Sequence, residues 1–167
     1  MELPNIIKLM RHLLLLVLAF GFVGCATQKQ AATTKQRMTV RTTAYTHTEP
    51  GGSKNAIGGR LRFGAAQRSA ASDWSWLPLG TRFKMLSNGS EYVIEDYGSA
   101  LVGRKTVDLY FPSRSAMRAW GVRHEEIEII EWGSEAMSLK LLAPRTRNGH
   151  VATMVTALRR QGVTPAS

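Results

Sequence analysis

Alternating apolar and polar residues predict several short β-strands along the chain. Such alternation is typical of strands with one buried face, and turn-forming residues separate the runs. Ser87-Asn88-Gly89, for example, has the composition of a hairpin turn. The predicted strands are residues 38–45, a short run within 60–72, and residues 82–86, 91–95, 106–111 and 126–132.

Helical patterns occur mainly after the central strands. Ser113 has the residue type of a helix N-cap, and Gly121 predicts the end of the same helix. The apolar stripe between them consists of Ala116, Met117 and Trp120. Residues 151–161 also show helical spacing, whereas residues 138–142 fit either a strand or a helical turn. Many short strands with one or two short helices predict a mainly β protein with a small closed β structure.

The first 24 residues have the layout of a lipoprotein signal peptide. Lys8 and Arg11 precede an apolar run at 13–23, which is short for a bilayer span. Cys25 follows small residues, as in a bacterial lipobox, and is the expected lipidation site because the chain has no second cysteine for a disulfide. A buried free thiol and a short membrane anchor remain alternatives.

The chain is therefore expected to have four segments. These are a signal peptide at 1–24, a flexible polar tether at 25–37, one β domain at 38–134, and a C-terminal extension with a helix at 135–167. The formal net charge of +10 becomes +9 without residues 1–24, which carry two positive charges and one negative charge. A basic exported protein suits anionic lipid or wall polymer, and no nucleic-acid-binding motif is present.

Two aspartates end neighbouring apolar runs in the central stretch 92–111. Asp96 follows Tyr92-Val93-Ile94, and Asp108 follows Thr106-Val107. Strands would hold both carboxylates on a rigid frame where burial can change their pKa values. The alternative is that Asp96 caps a turn and Asp108 is an edge charge, and the pattern leaves both interpretations open.

Other polar residues predict neither a metal site nor an activated serine. His47, His124 and His150 lack the spacing of metal ligands. The chain has no Gly-x-Ser-x-Gly elbow with a histidine placed to activate the serine. No metal and no cofactor is therefore expected.

Several short motifs follow one another in a fixed order along the chain. They are Asp73, Leu77-Pro78-Leu79-Gly80-Thr81, Asp96-Tyr97-Gly98-Ser99-Ala100, Gly103 and Val107-Asp108-Leu109-Tyr110. Their order and spacing together resemble the 3D domain, a family named for three aspartates, and the resemblance covers residues 40–132. That domain forms the catalytic end of membrane-bound lytic transglycosylase A and related small wall enzymes. The resemblance implies a six-stranded double-psi β-barrel that cleaves between MurNAc and GlcNAc and leaves a 1,6-anhydro end.

The same resemblance assigns roles to the aspartates. It makes Asp108 the catalytic carboxylate, Asp96 its neighbouring carboxylate, and Asp73 a supporting residue. Large aromatic side chains suit the faces of sugars, but they also fill small barrels, so we expect only one of Trp74 and Trp76 to be exposed. The candidate substrate-binding residues are Tyr45, Trp74, Trp76, Tyr97, Gly98 and Ser99.

The expected partners are peptidoglycan glycan strands and a membrane, reached through lipid on Cys25. Ala26 after the cysteine resembles outer-membrane sorting. Larger members carry a second domain that walls the glycan groove, so an envelope protein is a possible partner. Two alternatives remain: a non-catalytic glycan-binding or wall-loosening module, and a structural lipoprotein with a degenerate site. An enzyme requires Asp96 and Asp108 in one groove with Asp108 largely desolvated, whereas a binder could expose both.

Overall fold

The protein is described by a computed structural model that covers residues 36–49 and 52–167. The predicted signal peptide, Cys25 and the tether up to residue 35 lie outside the described residues. In the described ranges the elements are β1 (Arg37–Tyr45), β2 (Arg68–Ala71), β3 (Arg82–Met85), β4 (Glu91–Asp96), β5 (Thr106–Tyr110), α1 (Arg114–Trp120), β6 (Arg123–Glu131), α2 (Glu135–Leu142) and α3 (Gly149–Arg160), with 3-10 turns at Ser99–Leu101 and Ala143–Arg145.

The six strands form a closed barrel in the order β1-β5-β2-β4-β3-β6. The pairs β1–β5 and β2–β4 are parallel, and the other four pairs are antiparallel. Closure leaves no free sheet edge. The predicted class, mainly β with a closed six-stranded barrel, is confirmed. Apolar side chains from all six strands fill its interior, including Val40, Ala70, Phe83, Ile94, Val107, Leu109 and Ile127.

Local sequence signals set the helix ends. The Ser113 hydroxyl accepts a hydrogen bond from the Ala116 backbone N–H at 3.2 Å and caps α1, as predicted. Gly121 ends that helix at φ +66°, a conformation that disfavours residues with a Cβ. The ambiguous residues 138–142 belong to α2, so the described part holds three α-helices where one or two were expected.

The helices α2 and α3 complete one hydrophobic core with the barrel. Trp74 of that core is fully buried, and buried apolar residues of both helices belong to the same cluster. The Leu79 backbone N–H also donates to the Ser138 hydroxyl at 2.9 Å. The proposed division at residue 134 stays a prediction. Among the described residues, no helix has the length and apolar character needed to cross a membrane.

Candidate active site

Strand register brings the two predicted carboxylates onto one face of the barrel. Thr43 of β1 lies opposite Asp108 of β5, and Asp108 lies opposite Ala71 of β2. On its other side Ala71 lies opposite Asp96 of β4. Residues opposite each other in register share a face, so the four residues form a row across four strands. One strand, with only a methyl side chain in the row, separates the two aspartates.

A β-bulge in β4 turns Asp96 toward this row. Ala70 pairs with Ile94, but the next residue of β2, Ala71, pairs with Asp96, so Glu95 is the extra residue. Ile94 is fully buried in the barrel. Strict alternation would send Asp96 to the same interior side as Ile94. The bulge instead places Asp96 on the outer face with Asp108.

The row lies outside the barrel wall, yet both carboxylates are half-buried. The segment after β1 covers them. Its residues Thr46 and Asn55 are buried, and Glu49 is close enough to Asp108 to raise the pKa of that carboxyl. The covering segment and the barrel wall therefore enclose a site in which water access to the carboxylates is reduced.

Asp108 has a raised pKa of about 6. Burial is the main cause, and the negative charges of Glu49 and Asp96 add to it. A hydrogen bond from the Thr43 hydroxyl to Oδ1, at 2.6 Å, lowers the pKa, and the Arg41 charge lowers it further. The side chain is thus set up to exchange a proton near neutral pH.

Asp96 also has a pKa raised to about 6, again mainly by burial. Hydrogen bonds oppose this rise: Oδ1 accepts from the Tyr97 backbone N–H at 2.9 Å, and the backbone N–H of Ala56 acts in the same direction. The Tyr45 hydroxyl donates to Oδ2 at 3.4 Å. Burial and the nearby carboxylates, Asp96 first and Asp108 second, raise the pKa of Tyr45 strongly, so its hydroxyl stays protonated.

The Asp73 carboxylate is hydrogen-bonded to loop residues and not to the residues of the row. Its Oδ1 accepts hydrogen bonds from the backbone N–H and hydroxyl of Ser75 at 2.8 and 2.6 Å. Its Oδ2 accepts from the Gly103 backbone N–H at 2.8 Å. Asp73 therefore ties the turn after β2 to the loop before β5, an arrangement that suits a supporting residue.

The candidate aromatic residues have different environments. Trp74 is fully buried and its indole N–H donates to the Asp96 backbone carbonyl at 2.8 Å, so the prediction that it contacts glycan is wrong. The ring belongs instead to the hydrophobic core cluster. Trp76 and Tyr97 are half-buried, and Gly98 and Ser99 lie just beyond Asp96 at the start of a 3-10 turn.

Several residues of the site were not predicted from the sequence. Thr43 contacts Asp108 only because β1 and β5 pair in parallel across 65 positions of sequence. Buried Glu95 is held by Arg62 and Ser69 beside Asp96. His47 Nδ1 contacts the Tyr110 hydroxyl at 3.0 Å. In residues 36–49 and 52–167, no three His, Cys, Asp or Glu side chains are grouped so that they could hold a metal ion.

Residues 68–131 match the family model described as the 3D domain. This segment of the chain is therefore a 3D domain, and it includes Asp73, Asp96 and Asp108. The chain is also 33% identical over 116 residues to "Putative cell wall shaping protein YabE" of Bacillus subtilis (strain 168). That match covers 68% of this chain and 28% of the relative.

Among solved structures, the chain is similar to the lytic transglycosylase MltA of E. coli, in a variant without ligand. The sequence identity is 26%, the TM-score is 0.36, and the match covers 48% of this chain and 28% of MltA. The chain thus spans little more than a quarter of the length of each of these two proteins.

Proposed function

We propose that the protein is a peptidoglycan lytic transglycosylase that cleaves the bond between MurNAc and GlcNAc. The observation that supports this proposal is that Asp96 and Asp108 lie on the same face of the barrel, both half-buried and each with a pKa of about 6. The 3D domain and the wall-related name of the Bacillus relative point to the same substrate class.

In the proposed reaction, Asp108 acts first as an acid and then as a base. The protonated carboxyl gives its proton to the glycosidic oxygen while the bond to C1 of MurNAc breaks. The resulting carboxylate then takes the proton of the O6 hydroxyl of the same MurNAc, whose oxygen attacks C1. The products are a 1,6-anhydroMurNAc end and a free GlcNAc 4-hydroxyl, and no water is consumed. One carboxyl group with a pKa near neutrality is sufficient for both steps.

Asp96 has the proposed role of an electrostatic partner. Its negative charge raises the pKa of Asp108 and thereby keeps a larger fraction of Asp108 protonated. It would also stabilise positive charge that develops at C1 in an oxocarbenium-like transition state. Tyr45 donates to Asp96 and so holds it in place.

The remaining assignments belong to the same proposal. Asp73 supports the site, and Tyr45, Trp76, Tyr97, Gly98 and Ser99 are candidate glycan contacts. Residues 1–24 are proposed as a signal peptide and Cys25 as the lipidated residue. The protein would then be anchored in the envelope, with a membrane and glycan strands as its partners and the outer membrane as its proposed location.

A glycan-binding module is the second candidate. At neutral pH two carboxyl groups with pKa values near 6 are mostly ionised, and ionised carboxylates accept hydrogen bonds from sugar hydroxyls. Such a module would bind wall glycan without cleaving it.

Digestion of purified peptidoglycan by residues 25–167 separates these candidates. We expect anhydro muropeptides, lighter by one water than reducing muropeptides in mass spectra, and none with Asp108→Asn. Glu131→Gln, which removes a carboxylate on an exposed position of β6, is the matched control and should cleave normally. Muropeptides with reducing ends would instead show that the protein hydrolyses the glycosidic bond. A folded protein that sediments with the wall and releases nothing would support the binding module.

A further inference from the structure

The turn that follows α2 carries an arginine that contacts both residues flanking the Asp96 carboxylate. We propose that Arg145 is a positioning residue that holds the backbone N–H donors of Ala56 and Tyr97 against Asp96. Any effect of Arg145 on catalysis rests on the proposed function. Arg145 belongs to the C-terminal helical layer, which consists of α2, the 3-10 turn Ala143–Arg145 and α3. This layer lies outside the 68–131 match to the 3D domain, so the inference gives it a role at the site.

Arg145 reaches its two acceptors with a single nitrogen. Its Nη1 donates to the Ala56 backbone carbonyl at 2.9 Å and to the Tyr97 hydroxyl at 3.4 Å. Ala56 belongs to the segment that covers the site from the side of β1, whereas Tyr97 follows Asp96 directly at the end of β4. One half-buried guanidinium therefore joins three parts of the chain that have no local sequence connection.

Both residues held by Arg145 act on Asp96 through their backbone. The Tyr97 N–H donates to Oδ1 at 2.9 Å, and the Ala56 N–H also lowers the pKa of this carboxyl. The described residues include no ion pair between Arg145 and Asp96. Arg145 therefore acts through two neutral peptide groups, and its effect depends on where it holds them.

The segment around Ala56 is a tight turn, and Arg145 is one of its contacts with the rest of the chain. Asn55 closes the turn, since its Oδ1 accepts from the Gly59 backbone N–H at 2.7 Å and its own backbone N–H donates to the Gly59 carbonyl at 2.8 Å. These bonds are internal to the turn. The contact between Arg145 and the Ala56 carbonyl links the turn to the C-terminal layer.

The Tyr97 ring is held between the barrel core and the same layer. Trp74 meets it edge to face with ring centroids 5.0 Å apart, and the tilted His150 ring of α3 lies with its centroid 6.0 Å away. Arg145 fixes the hydroxyl at the far end of this ring. The side chain then has little freedom to rotate, and the backbone N–H that faces Asp96 keeps its direction.

The test is an NMR titration of the Asp carboxyl carbons in residues 25–167, compared among the wild type, Arg145→Gln and Arg145→Lys. Without the Arg145 contacts, both N–H donors move away from Asp96. We therefore expect the titration midpoint of Asp96 to rise by about half a pH unit in Arg145→Gln, with a smaller change at Asp108. Arg147→Gln is the matched control. It removes the same charge two residues away, from an exposed side chain, and should leave both midpoints unchanged.

Amide exchange separates positioning from simple loss of charge. In Arg145→Gln the Ala56 and Tyr97 amides should exchange about tenfold faster, while Ile94 in the barrel keeps its protection and reports that the variant is folded. Arg145→Lys keeps the charge but loses the planar guanidinium, and should exchange faster at Ala56 as well. An unchanged Asp96 midpoint, or a shifted midpoint with unchanged exchange at both amides, would overturn the proposal.

These readouts do not need enzymatic activity. If the wild type fails to cleave peptidoglycan but the Asp96 midpoint and the amides respond as expected, the proposed function is wrong and the positioning role stands. If cleavage occurs but Arg145→Gln changes neither readout, the positioning role is wrong and the function stands. In an active enzyme, the pH profile of kcat/KM should move with the Asp96 midpoint.

Discussion

At the scale of single residues, the site is defined by how burial and hydrogen bonds act on two carboxyl groups. Burial raises the pKa values of Asp96 and Asp108 to about 6, and hydrogen bonds limit the rise. Thr43 is the donor closest to Asp108, at 2.6 Å. Small changes at such donors should therefore tune proton exchange without rebuilding the fold.

Replacing Thr43 by valine tests this directly. Valine has nearly the same shape but no hydroxyl, so a hydrogen bond that lowers the pKa of Asp108 is lost. We expect that pKa to rise by about half a unit to one unit. The pH at which kcat/KM falls on the alkaline side should then move up by the same amount. Carboxyl NMR titration and a pH–rate profile measure the two effects.

Thr43→Ser is the control for that substitution, because it keeps the hydroxyl and should keep the midpoint of Asp108 within a few tenths of a unit. An equal midpoint in the wild type and in Thr43→Val would mean that the 2.6 Å contact has no effect on protonation.

At the scale of elements, the bulge in β4 and the turn after β2 place the carboxylates and their support. The turn 77–81 is packed against the chain that leaves β6. The Ser134 backbone N–H donates to the Leu79 carbonyl at 2.9 Å, and the Gly133 N–H donates to the Thr81 hydroxyl at 3.0 Å. This junction fixes the start of α2 against the barrel.

Gly133 is required there because the backbone of the turn approaches it closely. A Cβ on Gly133 would lie 2.3 Å from the Leu79 carbonyl oxygen and 2.5 Å from the Thr81 nitrogen. Both atoms belong to the backbone and cannot rotate away. Gly133→Ala should therefore lower the free energy of unfolding by about 2 kcal/mol or more, measured by urea denaturation.

Gly149→Ala is the matched control for this loss. Gly149 is the first residue of α3, and a Cβ there would meet no atom within 4 Å. Its replacement should be neutral or stabilise by up to about 1 kcal/mol. Equal stability of the two variants would contradict the close approach at Gly133.

At the scale of the whole molecule, the site makes stability depend on pH. Asp108 has a folded-state pKa of about 6, above the value of about 4 expected when unfolded. The folded state therefore binds more protons between these two values. Its free energy of unfolding falls as pH rises from about 4 to 6, and the loss persists at higher pH.

Asp108→Asn should remove the part of this pH-dependent loss of stability that comes from Asp108. At pH 7.5 we expect the variant to be more stable than the wild type by about 2 kcal/mol, since one pKa unit corresponds to about 1.4 kcal/mol and the side chain is only half-buried. At pH 4 the difference should approach zero, because the wild-type carboxyl is then protonated. Urea denaturation at both pH values measures this, and a difference that does not depend on pH would exclude a raised pKa.

Much of the barrel could be predicted from local sequence. The strand Arg123–Glu131 has an alternating sequence that predicts a strand, and the caps at Ser113 and Gly121 are local hydrogen-bonding and backbone effects. Residues 138–142 remain ambiguous in sequence because their short apolar run fits a strand or a helical turn equally well. Packing of Leu139 and Leu142 against the core decides that it is helical.

The candidate carboxylates were predictable, but most of their surroundings were not. Asp96 and Asp108 follow apolar runs and belong to motifs of the 3D domain, so pattern and resemblance both identify them. Trp74 was not assigned correctly, since sequence does not distinguish an aromatic ring in the core from one in a groove. Thr43 and Arg145 carry no local signal, because their contacts join positions 65 and 48 residues or more apart.

The sequence by itself determined the number and type of most elements, the turns between them and the residues able to carry acid–base chemistry. These features depend on neighbours within a few positions of the chain. Only the tertiary structure decided that a bulge turns Asp96 toward Asp108, that the segment after β1 covers both, and that Arg145 reaches Ala56 and Tyr97. Those outcomes depend on strand register and burial, which arise when distant segments pack together.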